Sequence, residues 1–268
     1  MTNSISNKLD TALAGLKKSK KTGLMTHLVL GYPSRERAIR LAAELEEGGA
    51  TILELQIPFS DPIADGPTIM KACDVSLKSG TTVHTALEDI AAISRAATIP
   101  VVVMSYYNPI FAFGAEAFCQ KIAAMGVTGL IVPDLPPEEE ANEGFLAACN
   151  RHSLHAIRVV SPASTYQRLR LNADIASGFV YTTSRFGVTG AKADLDPRLI
   201  GYLDRLRTIF RVPIAVGFGI SKPEHVRAIH GHADVVIVGS AIIDFLHPSG
   251  DNSTNRNIPA FIHSLLSR

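Results

Sequence analysis

Apolar runs of strand length alternate with amphipathic stretches of helical period along almost the whole chain. Ile5, Leu9, Leu13 and Leu16 recur at helical spacing and predict an amphipathic helix over residues 3–18. Residues 24–30 read as a strand, Gly31-Tyr32-Pro33-Ser34 as the turn that caps a helix near 35–48, and residues 51–55 as a second strand. Helical stretches follow near 67–79 and 82–96. Six further strands are predicted over 99–104, 129–132, 156–160, 178–182, 213–216 and 235–238, with helices near 114–125, from 136 and near 165–176. Strand and helix in unbroken rhythm mean parallel strands. An open doubly wound sheet is the rival arrangement. Eight near-equal units with no break in composition favour closure into one (β/α)8 TIM-barrel domain over residues 1–268. The N-terminal helix is extra to the eight units, and its apolar stripe is expected to plug the bottom of the barrel. A second extra helix is expected after the eighth strand.

One stretch breaks the apolar pattern. In the second strand Ile52, Glu54 and Gln56 share one face while Leu53 and Leu55 share the other, because strand side chains alternate. An acid in such a strand costs free energy unless it is paired, hydrated or used. The loop that follows is stiffened by Pro58, Pro62 and Pro67, each fixing φ, and carries two more acids, Asp61 and Asp65. Gly66-Pro67 then opens a helix, with proline at a favoured first position. Three glycine-bearing loops follow the last three strands: Ser184 to Ala191, Gly217-Phe218-Gly219-Ile220-Ser221, and Gly239-Ser240-Ala241. Glycines let backbone N–H groups approach an anion closely, and barrels of this kind often hold phosphate after strands seven and eight. Together, the loops favour a phosphate site over ordinary turns.

Composition mostly excludes. A hydrophobic content of 46% supplies a large core, and a net charge of +1 gives no argument for nucleic acid. Cys73, Cys119 and Cys149 are scattered without CxxC spacing and read as buried reduced thiols of a cytoplasmic protein. No apolar run is long enough to span a membrane, the N-terminus lacks a signal-peptide core, and the histidines form no metal-like cluster. Glu138, Glu139 and Glu140 in a first helical turn suit the helix dipole and read as structural.

The strings Leu53-Glu54-Leu55, Ile57-Pro58-Phe59-Ser60-Asp61-Pro62 and Ala64-Asp65-Gly66-Pro67-Thr68 resemble the signature of the tryptophan synthase α subunit family. The resemblance extends to Ser105-Tyr106-Tyr107-Asn108-Pro109-Ile110 and Val132-Pro133-Asp134-Leu135-Pro136, and so covers nearly the whole chain. It implies a (β/α)8 barrel that cleaves indole-3-glycerol phosphate to indole and glyceraldehyde 3-phosphate. That retro-aldol step must protonate indole C3, deprotonate a substrate hydroxyl and stabilise the indole N–H. Two carboxyls in different surroundings can divide the work. Glu54, on an apolar strand where the charged form is disfavoured, suits the acid/base role. Asp65, on a polar loop, suits an ionised acceptor for the indole N–H. The family gives the matching positions these roles.

By the same resemblance Tyr181 lies near the acid, although core packing alone would also explain a tyrosine there. Gly190, Gly219, Gly239 and Ser240 match phosphate-binding positions. Loop 184–195 matches a mobile lid, with Thr189 meeting the catalytic loop on closure. Asp61, Pro62 and Asn108 fall where the family contacts its β subunit. That partner carries pyridoxal phosphate, receives indole through a tunnel and completes an α2β2 complex. No cofactor or metal is implied in this chain. Two positions depart from the pattern. Gln56 stands where glycine is usual, about 7 Å along the strand from Glu54, and is expected to bond Glu54 or crowd the indole unless a bulge turns it away. His27 stands where an aromatic usually packs the indole pocket, and a lone histidine in such a strand reads as a satisfied core residue. These departures keep two alternatives open: a regulatory subunit that activates its β partner but cleaves poorly, and a stand-alone indole-glycerol-phosphate lyase.

Overall fold

The computed structural model describes residues 6–183, 195–217, 219–246 and 256–267. In chain order its elements are α1 (Lys8–Ser19), β1 (Gly23–Val29), α2 (Arg35–Glu47), β2 (Ile52–Gln56), α3 (Pro67–Lys78), α4 (Val83–Ala96), β3 (Val101–Met104), α5 (Tyr107–Phe113), α6 (Ala115–Ala124) and β4 (Gly129–Ile131). A short 3-10 turn (Pro137–Glu139) leads to α7 (Glu140–Glu143), α8 (Phe145–Arg151), β5 (His155–Val160), α9 (Tyr166–Ile175), β6 (Val180–Thr183), α10 (Leu199–Ile209), β7 (Ile214–Gly217), α11 (Pro223–Ile229), β8 (Val235–Val238), α12 (Ser240–Leu246) and α13 (Ile258–Leu266). Each strand pairs in parallel with the next, and β8 pairs with β1, which closes the barrel. The closed sheet predicted from eight equal units is therefore present, and the open sheet is not.

Closure sorts the alternating side chains into two cores. Met25, Ile52, Val102, Met104, Ile131, Ile157, Ala215, Val235 and Ile237 point inward and pack together. Leu53, Leu55, Val101, Val103, Val216 and Val236 point outward and pack under the helices. The inner cluster is sealed from one end by Leu9 and Leu13 of α1, as the apolar stripe predicts. Asn7 caps that helix: its side chain accepts from the Leu9 N–H, and its amide donates to the carbonyls of Thr128 (2.9 Å) and Ser153 (3.1 Å). Asp10 completes the capping box and lies 2.9 Å from Nε2 of buried His155. Gly178 lies at φ +69°, and a Cβ there would meet His155 at 3.0 Å and Leu9 at 3.2 Å. The plug is thus a fitted part of the core. Leu9→Ala is expected to lower the unfolding free energy by about 2–5 kcal/mol in urea titrations, because Leu9 is fully buried.

Two stretches differ from the sequence reading. Tyr107–Phe113 forms a helix directly after β3, where none was predicted. Its start is set by Asp134, whose carboxylate accepts from the Tyr107 N–H at 2.9 Å. Glu140 is structural, as read, but through an ion pair more than the helix dipole: it is buried and paired with Arg158 of β5, which also donates to the Leu135 carbonyl and to Asn172. That pairing joins residues eighteen apart in sequence, and only the fold brings them together. The three cysteines are free and buried, as expected. Among the described residues no helix is long and apolar enough to cross a membrane.

Candidate active site

The C-terminal end of the barrel opens into a cavity of about 460 Å³. His27, Glu54, Asp65, Tyr181, Thr183, Gly219, Gly239 and Ser240 all line it, together with Asp244 of α12. The structure therefore brings together both predicted carboxyls, the predicted tyrosine and three of the four predicted phosphate residues. Gly190 and Thr189 lie outside the described residues, as does all of loop 184–195 except Leu195.

Glu54 reaches the cavity because β2 alternates it inward between Ile52 and Gln56. It is 2% exposed. The β1–β2 register sets it opposite His27, whose Nδ1 lies 3.3 Å from Glu54 Oε1. Glu54 Oε2 has no hydrogen-bond partner among the described residues, and neither has His27 Nε2. His27 is thus not the satisfied core residue its sequence setting suggested. Burial alone would pull the imidazole down. Glu54, with Asp65 and the Gln56 amide, outweighs that effect and raises it above the ordinary histidine value.

Asp65 is held from two sides. Its Oδ2 accepts from Gln56 Nε2 at 2.7 Å and from Tyr106 Oη at 2.9 Å, while Oδ1 receives no hydrogen bond among the described residues. Tyr106 Oη in turn accepts from the Ala64 N–H at 2.9 Å, and the ring stacks on Phe59 at 5.2 Å. The loop that carries Asp65 is thereby pinned to the end of β3. Asp65 is less open than a polar loop suggested: burial raises its carboxyl above the usual value, with His27, Gln56 and Tyr106 opposing. Burial also raises the Tyr181 phenol, helped by the charges of Glu54 and Asp65.

Gln56 corrects a second expectation. It lies on the Glu54 side of β2, fully buried, yet it bonds Asp65 instead of Glu54 and does not line the cavity. The structure also names residues that sequence reasoning passed over. Tyr106 was quoted within a motif without a role, since nothing local links it to a loop forty-one residues earlier. Gly217 is required by Tyr181: a Cβ there would come within 2.8 Å of the phenol oxygen. Gly219 sits at φ +83°, a backbone that favours glycine, and a Cβ on Gly239 would press His27 at its Cβ (3.2 Å) and its ring Cδ2 (3.3 Å). Of the predicted partner contacts, Asp61 and Asn108 are exposed but Pro62 is buried within the chain. The exposed apolar group of that loop is its neighbour Ile63, 82% exposed.

A sequence model of the tryptophan synthase alpha chain family matches residues 13–262. The tryptophan synthase alpha chain of Syntrophotalea carbinolica is 39% identical over 257 residues, spanning 96% of this chain and 99% of its own. That of Dehalococcoides mccartyi is 44% identical over 227 residues, spanning 85% and 88%. Among solved structures, tryptophan synthase from M. tuberculosis superposes with a TM-score of 0.85 at 31% identity, over 97% of this chain and 98% of that one. The alpha subunit from Legionella pneumophila gives 0.85 at 31% identity over 97% of both chains. The match spans the barrel, its plug, the strand that carries Glu54 and the loop that carries Asp65, so the chain belongs to the tryptophan synthase alpha chain family.

Proposed function

We propose that this chain is the lyase of a two-protein tryptophan synthase, cleaving indole-3-glycerol phosphate to indole and glyceraldehyde 3-phosphate. One observation carries the reading. Glu54 and Asp65 face one cavity, each with one oxygen engaged by the protein and the other without a partner. Glu54 Oε2 takes the proton of the substrate hydroxyl and delivers it to indole C3, which makes the ring a leaving group with positive charge on its nitrogen. The bond from C3 to the glycerol carbon then breaks as the alkoxide becomes the aldehyde, indole leaves, and Glu54 is again a carboxylate. Asp65 Oδ1 accepts from the indole N–H and offsets the charge that develops there. Tyr181 packs beside the acid. Backbone groups at Gly219, Gly239 and Ser240, with Gly190 of the adjoining loop, receive the phosphate.

The partner in this reading is a β chain that carries pyridoxal phosphate, takes the indole and forms an α2β2 assembly. Exposed Asp61, Ile63 and Asn108, with Phe111 at 63% exposure, give the rim a polar and apolar surface for it. Thr189 is assigned to the closing loop. Because Gln56 bonds Asp65 and not Glu54, the case for a catalytically weakened subunit rests on His27 alone.

The test is indole formation by the purified chain with and without β chain. Stimulation by the partner supports the proposal, whereas high activity alone supports a stand-alone lyase and activation of β without cleavage a regulatory subunit. Two further results are expected. Gln56→Gly removes one of the two donors that hold Asp65, so kcat/KM falls about tenfold where a crowding glutamine would give a gain. Gly239→Val blocks the backbone approach and weakens glycerol phosphate binding by at least about tenfold, or about 1.4 kcal/mol, in calorimetric titration. Wild-type affinity would put the phosphate elsewhere.

A further inference from the structure

We infer that His27 is a positioning residue for the cleavage: its ring pairs with Glu54 through Nδ1 and fixes which carboxylate oxygen faces the substrate. The inference rests on the proposed role of Glu54. It is carried by geometry at three points. The β1–β2 register sets the two residues side by side, and Nδ1 lies 3.3 Å from Oε1. The pairing uses one atom of each residue and leaves Glu54 Oε2 and His27 Nε2 without partners in a shared cavity. The ring is also held in place. Gly239 of the loop after β8 leaves just the thickness of an imidazole, since a Cβ there would lie 3.2–3.4 Å from His27 Cβ, Cγ and Cδ2.

A histidine used only for packing would be expected to satisfy its ring nitrogens or to sit away from the acid. Here the ring gives up one hydrogen bond and keeps the contact with Glu54. The groups that bear on its charge are Glu54 of β2, Asp65 of the following loop, the Gln56 amide and, across the cavity, the Tyr181 phenol of β6. From β8 and the loop after it come Ile237 and Gly239, which carry no charge, and Asp244 of α12 lines the same cavity. The acids outweigh burial and favour the imidazolium. In the catalytic cycle His27 keeps its proton: the substrate hydroxyl proton moves to Glu54 Oε2 and on to indole C3, so the balance needs no other acid.

The sign of the pH effect follows. Deprotonation of His27 removes the counter-charge beside Glu54 as pH rises, so the wild-type kcat/KM profile is expected to fall on its basic side. In His27→Phe, which puts in the aromatic usual for the family, the basic limb due to His27 disappears. A profile that differs from wild type in height alone, or not at all, would make His27 a packing residue and overturn the inference. The second measurement needs no turnover. The His27 ring proton resonance is titrated by NMR in wild type and in Glu54→Gln, and its midpoint is expected to fall by about one pH unit or more in the variant. An unchanged midpoint breaks the pair and also overturns the inference. If the midpoint falls yet wild type releases no indole beside β chain, the reaction assignment has failed while the pair stands.

Discussion

Glu54→Gln is expected to lower indole release by about 10²–10⁴-fold, the usual worth of general acid–base catalysis, while leaving the barrel folded. The amide keeps the volume and the inward position set by β2, so the core around Ile52, Val102 and Met104 keeps its packing. What it loses is the ability to take a proton at Oε2 and pass it on. The substitution also removes the carboxylate that lies 3.3 Å from His27 Nδ1. Circular dichroism and the unfolding midpoint should stay close to wild type, and rates should be measured with β chain present. Retention of more than a tenth of wild-type activity would remove Glu54 from the acid/base role.

Substitution of Asp65 is expected to be nearly as damaging, by a different route. In Asp65→Asn the side-chain oxygen must take the Oδ2 position to accept from Gln56 and Tyr106. The amide N–H2 then points where the indole N–H should donate, donor against donor. The opposite flip faces the amide toward both protein donors and loses their bonds. Either orientation costs kcat at least about 10²-fold, in the range seen when one preorganised group at a developing charge is removed. Asp65→Ala adds a stability cost of about 1–3 kcal/mol, because buried Tyr106 and Gln56 keep donors without an acceptor. Glycerol phosphate should still bind both variants near wild-type affinity, since Asp65 is not among the groups assigned to the phosphate. An unchanged kcat would take Asp65 out of the mechanism. In wild type the burial that raises the Asp65 carboxyl also predicts that its acceptor role is lost as pH falls through that raised value.

Much of this was legible in the residues. Alternation along β2 requires Glu54 to share a face with Ile52 and Gln56, and the repeated strand and helix periods require parallel strands. Proline and glycine positions mark the ends of the elements, and the string from Leu53 to Thr68 is specific enough to name a family. The apolar stripe of α1 foretold the plug, and closure put its leucines against the inner core. These features are local: period, φ restriction and short-range capping act within a few residues, so the sequence alone carries them.

What the tertiary structure decided is which polar groups meet. His27 and Glu54 are twenty-seven residues apart and meet because β1 pairs with β2 in one register out of several. A shift by one residue would have turned His27 to the helical face. Gln56 reaches Asp65 instead of Glu54 because the loop folds back over the strand end, where Tyr106 holds it. Glu140 reads as a helix-dipole acid until Arg158 arrives from β5. In each case an individual residue's chemistry was visible in the sequence. Its partner was not, because hydrogen bonds and ion pairs act over a few ångströms, and only the closing of the barrel sets those distances between distant parts of the chain.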